Sequence, residues 1–295
     1  MRFGAIEAGG TKIVCGIGNA EGKIEERISI ATEEPRQTIQ KVAEFFNNKN
    51  VEAIGVGSFG PINLDRGSPA YGSITTTPKP GWSNYPILAV LKQEFNVPFG
   101  WDTDVNAAAY GESMWGAAKG LDSCIYITIG TGIGMGIYME GKSVHGLVHP
   151  EGGHILIRRH SEDEFAGACP YHQDCLEGLA SGPAIEKRWG LKGIELPNSH
   201  PAWEMEAYYI GQAVANAVLM LSPKKVILGG GVMQQKHLFP MIQREVQSNL
   251  KGYVHSEHLL EKIDQYIVKP GLGDNAGLCG ALALGIQAYE SRQDQ

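Results

Sequence analysis

The chain has 295 residues, 43% of them hydrophobic and 39 of them glycine, and a formal net charge of −7. That size and composition suit a compact α/β protein with many tight turns, and the acidic balance without a Lys/Arg cluster excludes the electrostatic footprint of a nucleic-acid binder. No run of 18 apolar residues occurs and no basic or apolar leader follows Met1, so no membrane role is expected and the cytoplasm is the expected compartment.

In chain order, the alternation of apolar residues predicts a strand at Phe3–Ile6, a glycine-rich turn and a second strand, then a strand over 23–30. An amphipathic helix over 37–47, a strand over 53–57, a helix over 87–95, a short strand around 97–101 and a helix over 105–115 follow. The second half repeats this order loosely. Hairpin strands are expected within 125–139, helices over 182–189 and 205–221, a strand over 225–228, a helix over 234–250, a strand over 266–269 and a helix over 276–289. Five cysteines are an odd number, and Cys15, Cys124 and Cys279 sit among apolar neighbours. They read as reduced core thiols, with no disulfides expected.

An internal repeat supports this order. Gly10-Thr-Lys-Ile-Val-Cys-Gly-Ile17 and Gly130-Thr-Gly-Ile-Gly-Met-Gly-Ile137 agree at five of eight positions, and each follows a short apolar segment. Two such hairpins are expected in two similar α/β domains with a cleft between them. Backbone N–H groups in turns such as Gly9-Gly10-Thr11 are unhindered by side chains and form concave donor arrays that suit phosphate oxygens. The pattern is neither a Walker A loop nor a dinucleotide fingerprint, because Gly130, Gly132 and Gly134 run into β-type residues instead of a helix.

Asp102-Thr-Asp104-Val-Asn106 opens the helix over 105–115. Plain N-capping by an Asp or Thr is one reading. The other is catalysis, since two aspartates and an asparagine crowd one strand-to-helix junction at the carboxyl end of a strand, where α/β folds place ligands. Further on, Cys169-Pro-Tyr-His172-Gln-Asp-Cys175 follows His154 by fifteen residues. Two thiolates and two imidazoles are a complete tetrahedral ligand set for Zn²⁺, and four protein ligands leave no open position, so the expected role is structural. Two buried thiols beside two unrelated histidines are the competing reading.

Glu7-Ala-Gly-Gly-Thr-Lys12, Gly57-Ser-Phe-Gly60-Pro61, Thr103-Asp104-Val-Asn106, Ile129-Gly-Thr-Gly-Ile-Gly134, Glu151-Gly-Gly-His154 and Cys169 to Glu177 occur in this order along almost the whole chain. Together they resemble the successive motifs of ROK-family sugar kinases. Glu7, Thr103 and the Cys-Pro-Tyr-His variant, with Thr77-Pro-Lys-Pro-Gly-Trp82 and Leu176-Glu-Gly-Leu-Ala-Ser-Gly-Pro183, resemble its bacterial, zinc-containing fructokinase branch. The resemblance implies an α/β, two-domain actin-like ATPase fold, a duplicated ribonuclease H-like unit with the ATP and sugar cleft between domains. The expected division is 1–117 with the C-terminal helix about 277–295, against 118–276.

The resemblance also implies phosphorylation of a hexose, D-fructose first, by Mg²⁺-ATP, with Asp104 as general base. Mannose, glucose or an amino sugar are the alternatives within the class; a zinc-stabilised sugar-binding module and a sugar-responsive repressor are those outside it. The repressor reading requires a helix-turn-helix domain, for which the position of the first phosphate turn, at residue 9, leaves no expected room. By the same carry-over, Glu7, Gly9, Gly10, Thr11, Lys12, Gly130, Thr131 and Gly132 serve the phosphates and Mg²⁺. Gly229, Gly230 and Gly231 serve the adenosine, and Thr103, Asn106, Glu151, His154 and Glu177 the sugar. His154, Cys169, His172 and Cys175 hold structural zinc, and the implied assembly is a homodimer.

Overall fold

The computed structural model describes residues 1–293, so residues 294 and 295, at the end of the expected C-terminal helix, lie outside the described residues. The chain divides into two compact units. The first comprises Met1–Gly120, Gly136–Pro150 and Gly271–Gln295, the second Leu121–Met135 and Glu151–Pro270.

In the first unit run β1 (Phe3–Ala8), β2 (Lys12–Gly18), β3 (Ile24–Ala31), α1 (Pro35–Phe46), β4 (Ile54–Ser58), α2 (Ile87–Glu94), β5 (Phe99–Thr103) and α3 (Asp104–Trp115). The sheet order is β3-β2-β1-β4-β5. β1 pairs antiparallel with β2 and parallel with β4, and β4 pairs parallel with β5. Period-2 alternation sorts β1 between two cores. Ile6 and Ala8 pack with Ile39, Val42 and Phe46 of α1 and with Leu88 and Leu91 of α2, while Phe3 and Ala5 pack against Leu278, Ala281 and Leu282.

The strands β6 (Cys124–Ile129), β7 (Ile133–Met139) and β8 (Lys142–Ser143) follow. The chain passes from the second unit to the first within β7. Next come α4 (Leu176–Ala180), α5 (Gly182–Trp189), α6 (Ala202–Leu221), β9 (Val226–Gly229), α7 (Leu238–Leu250), α8 (Glu257–Leu260), α9 (Ile263–Tyr266), β10 (Ile267–Val268) and α10 (Ala276–Gln293). The second sheet has the order β10-β9-β6-β7-β8, with β6, β9 and β10 parallel. Both glycine-rich segments are therefore strand–turn–strand units, as their repetition predicts.

Several boundaries differ from the sequence reading, two of them for a clear physical reason. The helix expected from residue 234 begins at Leu238, because Pro240 has no N–H to donate and belongs in a first turn. The strand expected over 266–269 shrinks to Ile267–Val268, since Tyr266 closes α9 and its hydroxyl donates to the Pro223 carbonyl at 2.8 Å.

Helix α10 lies flush on the first sheet and on α3 because glycines remove the side chains in between. A Cβ on Gly55 would lie 1.7 Å from the Ala281 carbonyl oxygen, and one on Gly280 would lie 1.8 Å from that of Ala107. Its first ten residues are all buried, as a helix apolar on every face requires. Glu112 of α3 is fully buried and accepts three backbone N–H groups, from Ala117 at 2.6 Å and from Gly271 and Leu272 at 2.9 Å. It thereby ties the segment leaving α3 to the segment entering α10.

The second unit buries a charged cluster. Arg188 donates from Nε and Nη2 to Asp163 at 3.2 and 3.0 Å, while Glu206 lies 3.8 Å from Arg188 Nη1 with no hydrogen bond to either carboxylate oxygen among the described residues. Burial pushes the Glu206 carboxyl up to about 8, with Arg188 opposing and Asp163 adding to the shift. A carboxyl raised above its ordinary value of 4.5 contributes stability that is fully present below 4.5 and is lost as pH rises through about 8. Glu206→Gln removes that titration. The melting temperature of the variant should therefore rise relative to the parent as pH goes from about 5 to about 8.5; a gap independent of pH contradicts the assignment.

Candidate active site

The carboxyl ends of the parallel strands β1, β4 and β5 lie in register, Ala8 opposite Ser58 and Ser58 opposite Thr103. One rung earlier Glu7, Gly57 and Asp102 are aligned. A Cβ on Gly57 would come within 2.8 Å of the Ala107 Cβ and 3.4 Å of the Asp104 Cα, so glycine there lets the start of α3 settle over the sheet beside Glu7. Glu7 in turn lies against Gly277, where a Cβ would fall 2.4 Å from its Oε1.

Thr103 caps α3: its Oγ1 accepts from Asn106 N at 3.1 Å. Asp102 is buried, and its Oδ1 accepts from Thr103 N at 2.7 Å and from Asn106 Nδ2 at 2.9 Å. Asn106 is also buried, and its Oδ1 accepts from Ile137 N at 3.2 Å. Capping is thus carried by Thr103 and the turn is clasped by Asp102. Among the described residues the hydrogen bonding of the Asp104 carboxylate is local, its Oδ1 accepting from Val105 N at 2.9 Å.

Burial pushes the Asp104 carboxyl up to about 6, opposed by backbone N–H groups at Val105 and Asp104. Burial likewise pushes Glu7 up to about 7, the Asp104 charge adding to the shift while Lys12 and Arg27 oppose it. Two buried carboxyls, one of them raised further by the charge of the other, form a place that favours a cation or a proton. The donor set is oxygen only, which suits a hard ion such as Mg²⁺.

In the second unit His154, Cys169, His172 and Cys175 converge, with all four ligand atoms within 4.8 Å of one another. Cys175 Sγ lies 3.5 Å from His154 Nδ1, and Cys169 Sγ lies 3.8 and 3.7 Å from His154 Nδ1 and His172 Nδ1. Ligands at zinc–nitrogen and zinc–sulfur bond lengths on a tetrahedron are about 3.6 Å apart. Burial pushes the Cys175 thiol up to about 11, so a thiolate there calls for a neighbouring cation. The donor chemistry and the spacing both fit zinc.

The ligand loop is held tightly. Cys169 and Gln173 exchange backbone hydrogen bonds, and Gly167 (φ 103°) and Gly178 both pack against the Gln173 carbonyl, where a Cβ would approach to 2.1 and 1.7 Å. Leu176 N donates to the Ile155 carbonyl at 3.0 Å, joining the loop to the segment that carries His154. Gly153 of that segment packs on the Ile133 carbonyl of β7, and Glu151 is exposed.

Glu177 follows in the first turn of α4, and its Oε2 accepts from Ile133 N at 2.9 Å. That oxygen lies over the second glycine turn, 2.6 Å from where a Gly132 Cβ would be. The two glycine turns close alike: Gly9 N donates to the Lys12 carbonyl at 3.0 Å, and Gly130 N to that of Gly132 at 2.9 Å. Thr11, Lys12 and Thr131 are exposed, and a Cβ on Gly10 would meet nothing. Gly229 and Gly230 have packing reasons of their own, Tyr126 and the Ile129 backbone with φ 92°, whereas Gly231 faces open space.

Sequence reasoning missed two histidines, of which one steadies the Asp104 turn from a distance. His145 Nε2 lies 2.9 Å from Asp102 Oδ2, and hydrogen bonding to that carboxylate raises the His145 pKa. His149, whose pKa burial lowers, accepts at Nε2 from Ile62 N at 3.0 Å. Both histidines lie in an irregular loop with no periodicity to mark them. No helix among the described residues is long and apolar enough to cross a membrane.

A family model described as ROK family matches residues 3–288. A fructokinase of Pediococcus pentosaceus is 47% identical over 99% of this chain and 100% of its own length, and a fructokinase of Zymomonas mobilis subsp. mobilis is 41% identical over 97% of each. Among solved structures, a ROK family glucokinase from Streptomyces griseus in complex with glucose and AMPPNP superposes with a TM-score of 0.77 at 25% identity, covering 97% of this chain and all of that one.

Proposed function

The chain belongs to the ROK family, and we propose that it is an ATP-dependent fructokinase that transfers the γ-phosphoryl group of Mg²⁺-ATP to D-fructose, giving fructose 6-phosphate. The near-full-length similarity to proteins named fructokinase supports the substrate. The observation that carries the chemistry is the state of Asp104: relieved of capping by Thr103, desolvated, and raised to about 6. A general base works best when its pKa lies near the working pH.

In this reading Asp104 orients the attacking hydroxyl and takes its proton as the new P–O bond forms. Phosphoryl transfer asks a protein mainly for positioning and charge neutralisation. Lys12 and the N–H groups at Gly9, Gly10, Thr11, Gly130, Thr131 and Gly132 meet the phosphates, and Gly229, Gly230 and Gly231 let backbone approach the adenosine. Mg²⁺ arrives with ATP, would be held beside Glu7, and supplies neutralisation of phosphate charge. Glu151, His154 and Glu177 bind sugar hydroxyls, while Thr103 and Asn106 hold the turn that presents Asp104. Zinc would be held by His154, Cys169, His172 and Cys175, where it cross-links the loop leading into Glu177. A cytoplasmic homodimer completes the reading.

Mannose, glucose and amino sugars remain the alternatives within the class, and Asp104 disfavours a binding module without catalysis. A coupled ADP-release assay over these sugars separates them. D-Fructose should give the highest kcat/KM, by about tenfold or more over each competitor, the discrimination that one or two well-placed hydrogen bonds supply. Equal or better turnover of another hexose overturns the substrate assignment, and ADP release that needs no sugar overturns the kinase.

A further inference from the structure

A cleft of about 810 Å³ in the first unit is lined by Arg66, Lys92, Lys142, His145 and Arg292 and by a single carboxylate, Asp102. It runs along β5, the edge strand of the sheet, beside α10 and the β7–β8 hairpin. None of the residues assigned above to phosphates, adenosine, sugar or zinc lines it.

Among the described residues Arg66, Lys92, Lys142 and Arg292 form no ion pair, although the chain carries 32 acidic side chains against 25 Lys and Arg. Asp102 is already committed to Thr103 N, Asn106 Nδ2 and His145. Glu290 of α10 is the further carboxylate felt here, at Tyr110. A surplus of cations gathered in one concavity of an acidic protein attracts anions by field focusing.

The remaining walls narrow the chemistry. Tyr110 and Tyr138 also line the cleft and stack with ring centroids 5.8 Å apart and planes at 21°. Tyr138 is buried and Tyr110 half-buried, so the pair presents an apolar aromatic wall and hydroxyls able to hydrogen-bond a sugar. Arginine matches phosphate oxygens in pairs and lysine serves as a point charge. The volume lies within the roughly 300–1,000 Å³ of small-molecule sites and below what a macromolecular partner covers.

We infer that this cleft is a second binding site, for a small phosphorylated sugar bearing two phosphate groups, held by Arg66, Lys92, Lys142 and Arg292 with its ring against Tyr110 and Tyr138. Such a ligand lies one side chain from the Asp102 clasp, through His145. Only that link to Asp104 rests on the kinase reading; the site itself does not.

The test is calorimetric titration of the full chain with fructose 1,6-bisphosphate, nucleotide and Mg²⁺ omitted and D-fructose saturating, alongside inorganic phosphate alone. Saturable binding of the bisphosphate is expected, weakening as salt is raised. Lys92→Gln/Lys142→Gln should lower the affinity by about tenfold or more, as expected for losing two phosphate-facing charges, with basal turnover and melting temperature unchanged. Tyr138→Leu should weaken the bisphosphate but not phosphate. Absence of binding at millimolar ligand, binding unaffected by the lysine substitutions, or phosphate binding as tightly as the bisphosphate overturns the proposal. Since the readout is binding, its failure leaves the sugar-panel assay untouched, and failure of that assay leaves this one interpretable.

Discussion

Asp104→Asn should lower kcat by at least about a hundredfold while leaving the fold and D-fructose affinity close to those of the parent. The substitution preserves shape and removes the negative charge and with it the ability to accept a proton. It does not disturb the helix, because Thr103 and not Asp104 caps α3. The same base sets a pH dependence. A carboxyl at about 6 must be ionised to act, so kcat/KM of the parent should fall about tenfold per pH unit below that value and level off above it. The residual turnover of the variant should lack this limb. Near-parental turnover in Asp104→Asn, with binding measured separately by calorimetry, removes Asp104 from the role of base.

Cys175→Ser should abolish stoichiometric zinc and raise the KM for D-fructose by about tenfold, with a smaller effect on kcat. Cys175 Sγ forms one edge of the ligand tetrad at 3.5 Å from His154 Nδ1. The next residues carry Glu177 to its contact with Ile133 N. Without the metal the loop loses the cross-link between its cysteines and His154 and keeps only backbone pairing, glycine packing and the Glu177–Ile133 contact, so His154 and Glu177 are held less firmly. A metal analysis of the purified variant that still finds stoichiometric zinc refutes the ligand set; zinc loss with unchanged KM refutes the link from metal to sugar.

What was legible in the sequence was what local pattern encodes. Both glycine turns announced themselves through period-2 strands flanking repeated glycines, and the His/Cys loop through ligand types that have few other reasons to cluster. The Asp102–Asn106 junction was legible as crowded but ambiguous between capping and catalysis. The structure gives the cap to Thr103, and the Asp104 charge is felt at Glu7, which is what supports the proposed role of Asp104.

Other features had no local signature. Glu112 reaches backbone donors 159 and 160 residues away, and Asp102 meets His145 across 43. Such pairings leave no periodicity in either partner. Asn106 was read as a sugar contact, whereas its side chain is buried and joined to Asp102 and Ile137, a commitment that only the packing of α3 against β7 reveals.

The most direct measurement is the identity of the product. The purified chain is incubated with Mg²⁺-ATP and D-fructose, and the mixture is followed by ³¹P and ¹³C NMR. Our account predicts ADP and a single phosphomonoester at C6 of fructose in equal amounts, with neither formed at a comparable rate by Asp104→Asn. ADP formed without a sugar phosphate, D-fructose left unchanged, or a phosphomonoester at a carbon other than C6 contradicts it.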